Sequence, residues 1–186
     1  MTLPPPYDPA TVFAPEDDPA AARARVFIAP QRYVQGEGVL DNVGRYLRLL
    51  NVRHVGILMS ARGQSSEGPR VRQSLASENI EGTCCDFNGE CSLDEIEAHR
   101  DALADRVDCL IAVGGGKCVD AGKSIAFRLG IPVVIVPTLA SNDAPCSALS
   151  VLYEPSGIYA GVEFYPQSPA LVVGDTALVA AAPERF

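Results

Sequence analysis

The residues best suited to chemistry lie in the run CLIAVGGGKCVDAGKSIAF at 109–127: a continuously apolar segment, three successive glycines, a lysine, then a helical stretch. At the carboxyl end of a parallel strand, such a turn points free backbone N–H groups at a ligand. The missing Cβ atoms let the ligand approach, and the helix dipole favours negative charge, so a phosphate or pyrophosphate is the natural guest. Lys117 would add a positive charge. The spacing is neither G-x-G-x-x-G nor the P-loop pattern, so a tight strand-to-helix connection is an equal reading of Gly114, Gly115 and Gly116. Asp120 and Lys123, three apart on one helical face, are either part of that site or a helix-start acid with a local ion pair. A second polar loop, PTLASNDAPCS at 137–147, follows the apolar run VVIV and carries Thr138, Ser141, Asn142, Asp143 and Ser147. Two such loops at the carboxyl ends of neighbouring strands predict a binding cleft.

These loops need a parallel sheet to position them, and the rest of the chain reads as one. Strands are predicted at 26–28, 54–60, 83–87, 109–113, 133–136 and 171–176. Between them, 39–50 places Val39, Val43, Tyr46, Leu47 and Leu50 on one helical face, and 69–79 is a weaker helix with Pro69 in its first turn. Ser92 and Glu95 have capping-box spacing at the head of a helix running to about Arg106, and another helix spans Cys118 to Leu129 before Gly130. The segments 147–153 and 158–165 flank the turn EPSG and predict a β-hairpin. The fold class is therefore α/β: a Rossmann-like parallel sheet with flanking helices and an added β-hairpin.

At 186 residues the chain has room for one domain and a tail. Residues 1–24, proline-rich and acidic, read as a disordered or extended tail, and 25–186 as the α/β domain. A net charge of −8 without a Lys/Arg cluster argues against nucleic-acid binding. The N-terminus lacks a basic region followed by an apolar stretch, and the apolar run Ile131 to Ala140 is cut by Pro132 and Pro137, so no export or membrane span is expected and the protein is read as cytoplasmic. Six cysteines without a C-x-x-C pair are expected as reduced thiols, with Cys84 and Cys85 on opposite faces of a strand. His54 and His99 have no partners at ligand spacing and are read as structural or solvated.

The segments VFIAPQRYVQGEGVL at 26–40, AVGGGKCVDAGKSIA at 112–126 and PTLASNDAPCSALSVLY at 137–153 resemble the glycerol dehydrogenases of the iron-containing or zinc-dependent polyol dehydrogenase superfamily. The likeness runs from about Arg25 to Phe186, and its most specific element is A-S-x-D-A-P-x-S-A-L-S-V at 140–151. It implies that Gly114, Gly115, Gly116, Lys117 and Asp120 border the pyrophosphate and adjoining sugar of NAD. Thr138 and Ser141 would line the cofactor cleft, Ser147, Leu149 and Tyr153 the nicotinamide end, and Asp143 would orient the hydroxyls of glycerol or a related polyol. In such enzymes zinc acidifies the bound alcohol and hydride passes to the nicotinamide, which turns glycerol into dihydroxyacetone.

Two departures from the family pattern follow. Met59 stands where family members carry the Asp that holds the adenine ribose, with Ser60 and Arg62 after it, so either a relaxed choice that admits NADP beside NAD or weak NAD binding is expected. The family's zinc ligands, one Asp and two His, belong to a helical second domain, the Asp being expected just past Phe186; no metal site is therefore expected in these residues. Full-length relatives are expected as homo-oligomers, and the sheet face that normally packs on the helical domain is expected to be exposed. Two readings stand: the nucleotide-binding half of an NAD-dependent glycerol dehydrogenase, or a stand-alone dinucleotide-binding module without turnover. A dehydrogenase of another polyol or alkanol phosphate, or a dehydroquinate synthase, comes after them.

Overall fold

The apolar runs at 55–59, 109–113 and 133–136 lack polar alternation because they form the middle of a sheet covered on both faces. The computed structural model describes residues 7–13 and 25–182. Its main sheet has six parallel strands: β1 (Tyr33–Gly36), β2 (His54–Met59), β3 (Glu81–Asp86), β4 (Cys109–Gly114), β5 (Val133–Pro137) and β8 (Leu171–Asp175), in the order β1-β8-β5-β4-β2-β3. A separate antiparallel hairpin is made by β6 (Leu149–Tyr153) and β7 (Tyr159–Phe164). The helices are α1 (Pro9–Phe13), α2 (Val43–Leu47), α3 (Ala61–Ser66), α4 (Gly68–Ser77), α5 (Leu93–Leu103), α6 (Gly116–Leu129) and α7 (Thr176–Ala180).

Strand alternation splits the core in two. Val55, Ile57, Met59, Ile111 and Val113 meet Leu40, Val43, Leu47, Val71 and Leu75 from the α2 and α4 side. On the other face Leu58 and Leu110 meet Ile96, Leu103, Ala121 and Ile125 from α5 and α6. The helix α6 lies close on β4, since a Cβ on Gly122 would stand 2.4 Å from Ala112 Cβ.

The structure corrects the sequence reading in several places. Residues 26–28 form no strand, and Phe27 is 91% exposed. Pairing with β8 begins only at 31–33, where Gln31 N donates to Pro169 O and Val172 N to Arg32 O, so the earlier residues have no strand to join. The predicted helix at 39–50 is broken into a 3-10 turn (Val39–Asn42), α2 and a second 3-10 turn (Arg48–Leu50). α3 was not foreseen, because ARGQSS has no apolar period; Ser60 caps it by accepting from Gly63 N at 3.2 Å. At α5 only half of the capping box forms: Ser92 accepts from Glu95 N at 3.4 Å, whereas the Glu95 carboxylate accepts from Asn88 N and Nδ2 at 2.9 and 2.8 Å. Within the proline-rich N-terminal segment, Tyr7 makes a bridge to Phe164 and α1 follows; residues 1–6 and 14–24 lie outside the described residues. All six cysteines are free. Cys84 is exposed and Cys85 buried, as strand alternation requires, and burial pushes the Cys109 and Cys118 thiols up to about 12.

One buried carboxylate organises the edge of the sheet at β8. The Asp175 side chain is 0% exposed and accepts from Gly38 N (3.2 Å), Leu40 N (3.3 Å), Ala177 N (3.1 Å), Leu178 N (3.3 Å) and Arg70 Nη2 (3.0 Å). It thereby caps α7 and ties down the turn after β1. Burial alone would raise its pKa, but these donors outweigh burial and hold it below the ordinary aspartate range. Asp175→Ala strands several buried donors and should cost about 3–5 kcal/mol, read as a lowered urea midpoint. Because the folded pKa is depressed, the stabilisation is complete above the ordinary value near 3.8 and is lost as pH falls below it. The acid-induced loss of stability should therefore shrink in the variant; an unchanged acid slope would refute the assignment.

Candidate functional site

β4 delivers Gly114 to the carboxyl edge of the sheet, the chain turns at Gly115, and the fourteen-residue α6 begins at Gly116. Gly115 is the N-cap and has no side chain with which to satisfy the first amides of the helix. Those amides border a cleft of about 710 Å³ formed by the loops after β2, β4 and β5 together with the start of the hairpin. Gly114, Gly115, Gly116, Lys117, Asp120, Thr138, Ser141, Asp143, Ser147, Leu149 and Tyr153 all border this one cleft.

The glycines also let protein side chains come close. A Cβ on Gly115 would stand 3.2 Å from Leu139 Cδ2, and one on Gly116 2.8 Å from Asn142 Nδ2. The second loop thus lies directly on the glycine turn, and both border the same cleft. Asn142 Oδ1 accepts from Ala144 N at 3.1 Å, and Asp143 O accepts from Cys146 N and Ser147 N, which rolls 143–147 into a single helical turn. The Asp143 carboxylate stays at the exposed edge of the cleft.

Lys123 fixes the loop from beneath. Its side chain is 2% exposed, and Nζ donates to Ala144 O (2.8 Å), Ser147 Oγ (3.1 Å) and Leu149 O, while standing 2.9 Å from Asp120 Oδ1. Asp120 Oδ2 accepts from Val151 N at 3.1 Å, so the pair joins α6 to both the loop and β6. Asp120 both borders the cleft and forms the ion pair; its Oδ1 faces the Lys123 ammonium but has no hydrogen-bond partner. Burial pushes the Asp120 carboxyl up and the Lys123 ammonium down, and each partner's charge opposes the other's shift.

Lys117 is also engaged. Its ammonium is ion-paired with Glu90 Oε1 and lies 4.9 Å from the centroid of the Tyr153 ring. Glu90, in the loop between β3 and α5, was missed by sequence reasoning, because only the sheet order brings that loop beside the glycine turn. At the far end of the cleft, Met59 is fully buried in the core, and Ser60, Arg62, Gly63 and Glu67 form the lining. Glu67 was missed as well, since α3, which precedes it, was not foreseen. His54 stands 3.3 Å from Glu81, and His99 Nε2 3.0 Å from Glu95. Among the described residues, no three His, Cys, Asp or Glu side chains group so as to hold a metal ion, and no helix is long and apolar enough to cross a membrane.

A doubly covered parallel sheet whose carboxyl edge presents an uncapped helix start beside a cleft is an α/β arrangement able to receive an anionic ligand. Residues 30–176 match the family model described as iron-containing alcohol dehydrogenase, and the chain belongs to that family. It is 39% identical over 159 residues to the glycerol dehydrogenase of Thermotoga maritima, covering 86% of this chain and 43% of that protein. It is equally 39% identical, over 162 residues, to the glycolaldehyde reductase of Halobacterium salinarum, with 87% and 44% covered. A crystal structure of a probable glycerol dehydrogenase from Sinorhizobium meliloti superposes with a TM-score of 0.80 at 38% identity, covering 88% of this chain and 44% of that one. The chain thus spans less than half the length of the relatives it matches.

Lys123→Met should remove the loop's anchor and leave Asp120 buried without its counter-charge, at a cost of about 3–5 kcal/mol in a denaturant titration. Asp120→Asn in the Lys123→Met background should restore part of that loss. Additive effects of the two substitutions would show that the pair is not coupled.

Proposed function

We propose that the chain is the coenzyme-binding part of an NAD-dependent dehydrogenase of glycerol or a related small polyol. The observation that carries this is the uncapped N-terminus of α6 opening into the 710 Å³ cleft. The backbone amides at Gly116, Lys117 and Cys118 bind the coenzyme diphosphate by charge-assisted hydrogen bonds. Thr138 and Ser141 offer hydroxyls along the cleft wall, Ser147, Leu149 and Tyr153 bound the nicotinamide end, and the Asp143 carboxylate accepts hydrogen bonds from polyol hydroxyls. Bound there, the nicotinamide supplies the hydride acceptor. The names of the relatives support an alcohol or aldehyde of two or three carbons as substrate.

A second reading is favoured by the lack of a metal-ligating cluster among the described residues: the 186-residue chain binds dinucleotide without turnover. No step is assigned to a metal on these residues. Exposed apolar side chains on the hairpin, Ile158, Tyr159, Val162 and Phe164, support self-association as part of the same proposal.

Titration calorimetry on the folded chain should show saturable heat with NAD or NADH, and no heat with either would end the dinucleotide reading. In the same preparation, glycerol, NAD and zinc together should give no steady rise in NADH absorbance; a sustained rise would reject the second reading in favour of a complete enzyme.

The coenzyme's 2′ position is a further part of the proposal. With Met59 withdrawn into the core, no acid stands at the strand end against a 2′-phosphate, and Arg62 offers a positive charge, while Glu67 opposes it. NADPH should bind within about tenfold of NADH by fluorescence titration, the scale of one partly exposed charge pair. Arg62→Ala should weaken NADPH more than NADH, and Glu67→Gln should do the reverse. A strong preference for NADH that neither substitution changes would refute this account.

A further inference from the structure

The cleft contains a contact that a structural salt bridge does not explain. Lys117 is the second residue of α6, beside the amides assigned above to the diphosphate, yet its ammonium is turned to Glu90 Oε1 and the Tyr153 ring. Asp175 has both oxygens hydrogen-bonded, and Asp120, whose Oδ1 lacks a hydrogen-bond partner, keeps that oxygen 2.9 Å from the Lys123 ammonium. Glu90 Oε2 is instead buried with no hydrogen-bond partner. The pair is therefore under-satisfied, and the cost of that bare oxygen weighs against it. The loop has other anchors: Tyr153 N donates to Cys91 O at 2.9 Å, and Asn88 is held twice by Glu95. Glu90 is not required to hold the chain here, and it neutralises the one cation on the glycine turn.

We propose that Glu90 is a counter-ligand to the coenzyme diphosphate, competing with it for the Lys117 ammonium and so setting affinity and residence time. This rests on the dinucleotide reading given above. Without nucleotide, Lys117 belongs to Glu90. A diphosphate at the start of α6 presents a second acceptor of higher charge on the other side of the same ammonium, and binding takes the lysine from one acceptor to the other. On release Glu90 recovers it, which lowers the barrier to leaving. The residue acts through Lys117 and is a positioning residue, not a catalytic one. It also makes the site selective: nucleotides with one phosphate or none gain too little from Lys117 to displace the carboxylate.

The test uses the full chain and three probes: ADP-ribose, which carries the diphosphate without the nicotinamide, AMP, and adenosine. Glu90→Gln should tighten ADP-ribose by about three- to tenfold, the effect of removing one partly exposed ion-pair partner. The gain should lie mainly in a slower off-rate and should leave adenosine unchanged. Lys117→Met should weaken ADP-ribose, and adding Glu90→Gln in that background should change nothing further. Glu90→Ala serves as a second variant, since Gln can still accept from the lysine. A latch role would instead lower the unfolding temperature and weaken ADP-ribose in both Glu90 variants; that result overturns the proposal. So does equal tightening with and without Lys117, or tightening of adenosine to the same degree. If the wild-type chain binds ADP-ribose and neither Glu90 variant differs from it, this proposal fails and the dinucleotide reading stands. If the wild-type chain binds none of NAD, NADH and ADP-ribose, both fail together.

Discussion

The cleft depends on a single buried ammonium. Lys123 Nζ lies beneath the 137–147 loop and collects carbonyls from Ala144 and Leu149, the Ser147 hydroxyl and the Asp120 carboxylate. A loop that leaves a strand and wanders over a helix start has no ladder to satisfy its carbonyls. Here a cation rising from α6 serves instead, and the loop takes its shape around that charge. Burial draws the lysine toward its neutral form, and the acidic partner one turn earlier on the same helix opposes that shift. The same ammonium therefore joins α6 to the loop at Ala144 and Ser147 and to the start of β6 at Leu149.

The opposite device works at the other end of the same sheet edge. Where Lys123 gathers carbonyls, Asp175 gathers amides, from the turn after β1 and from the first turn of α7. Both groups sit at the carboxyl edge, where six parallel strands discharge their chains into irregular loops. The unpaired backbone groups of those loops are the chief cost of an open α/β edge. A buried charge with several partners answers several of them at once, which is why two are found where the sequence is richest in turns.

How much of this could be read from the residues alone follows physical lines. The central strands were legible because β2, β4 and β5 are covered on both faces and so are uniformly apolar. The glycine turn and the polar loop were legible because each follows such a strand. The edge of the sheet was not: VFI at 26–28 has better strand composition than YVQG at 33–36, yet only the latter lies opposite β8. Pairing there is decided by where Pro169 and Val172 stand, a long-range fact. The helix α3 was hidden for a different reason, since its start is set by the Ser60 cap and not by an apolar stripe. Within the site, Asp120 and Lys123 were visible as neighbours, but their engagement with protein atoms could not be read from spacing. Glu90 stood farther from view, because 27 residues separate it from Lys117 and only the sheet order brings them together.

The charge balance around the cleft bears on the proposed anion site, since it favours backbone groups over side-chain cations as ligands. The chain carries a net charge of −8, and Glu67, Asp143 and Glu90 lie at or beside the cleft against Arg62 and Lys117. A site that relied on side-chain cations would repel a diphosphate, because Lys117 is matched by Glu90 and Lys123 by Asp120 before any ligand arrives. The amides of α6 are not matched in this way: they are oriented dipoles with no counter-charge, fixed by the helix behind them. Affinity from fixed dipoles varies less with salt than affinity from mobile surface cations. Under the proposed reading the surrounding acids are left for other partners, Asp143 at the exposed edge of the cleft and Glu90 toward Lys117. On this account an acidic chain and the proposed anion site are compatible for a structural reason, which is that three glycines leave the amides at the start of α6 open to the cleft.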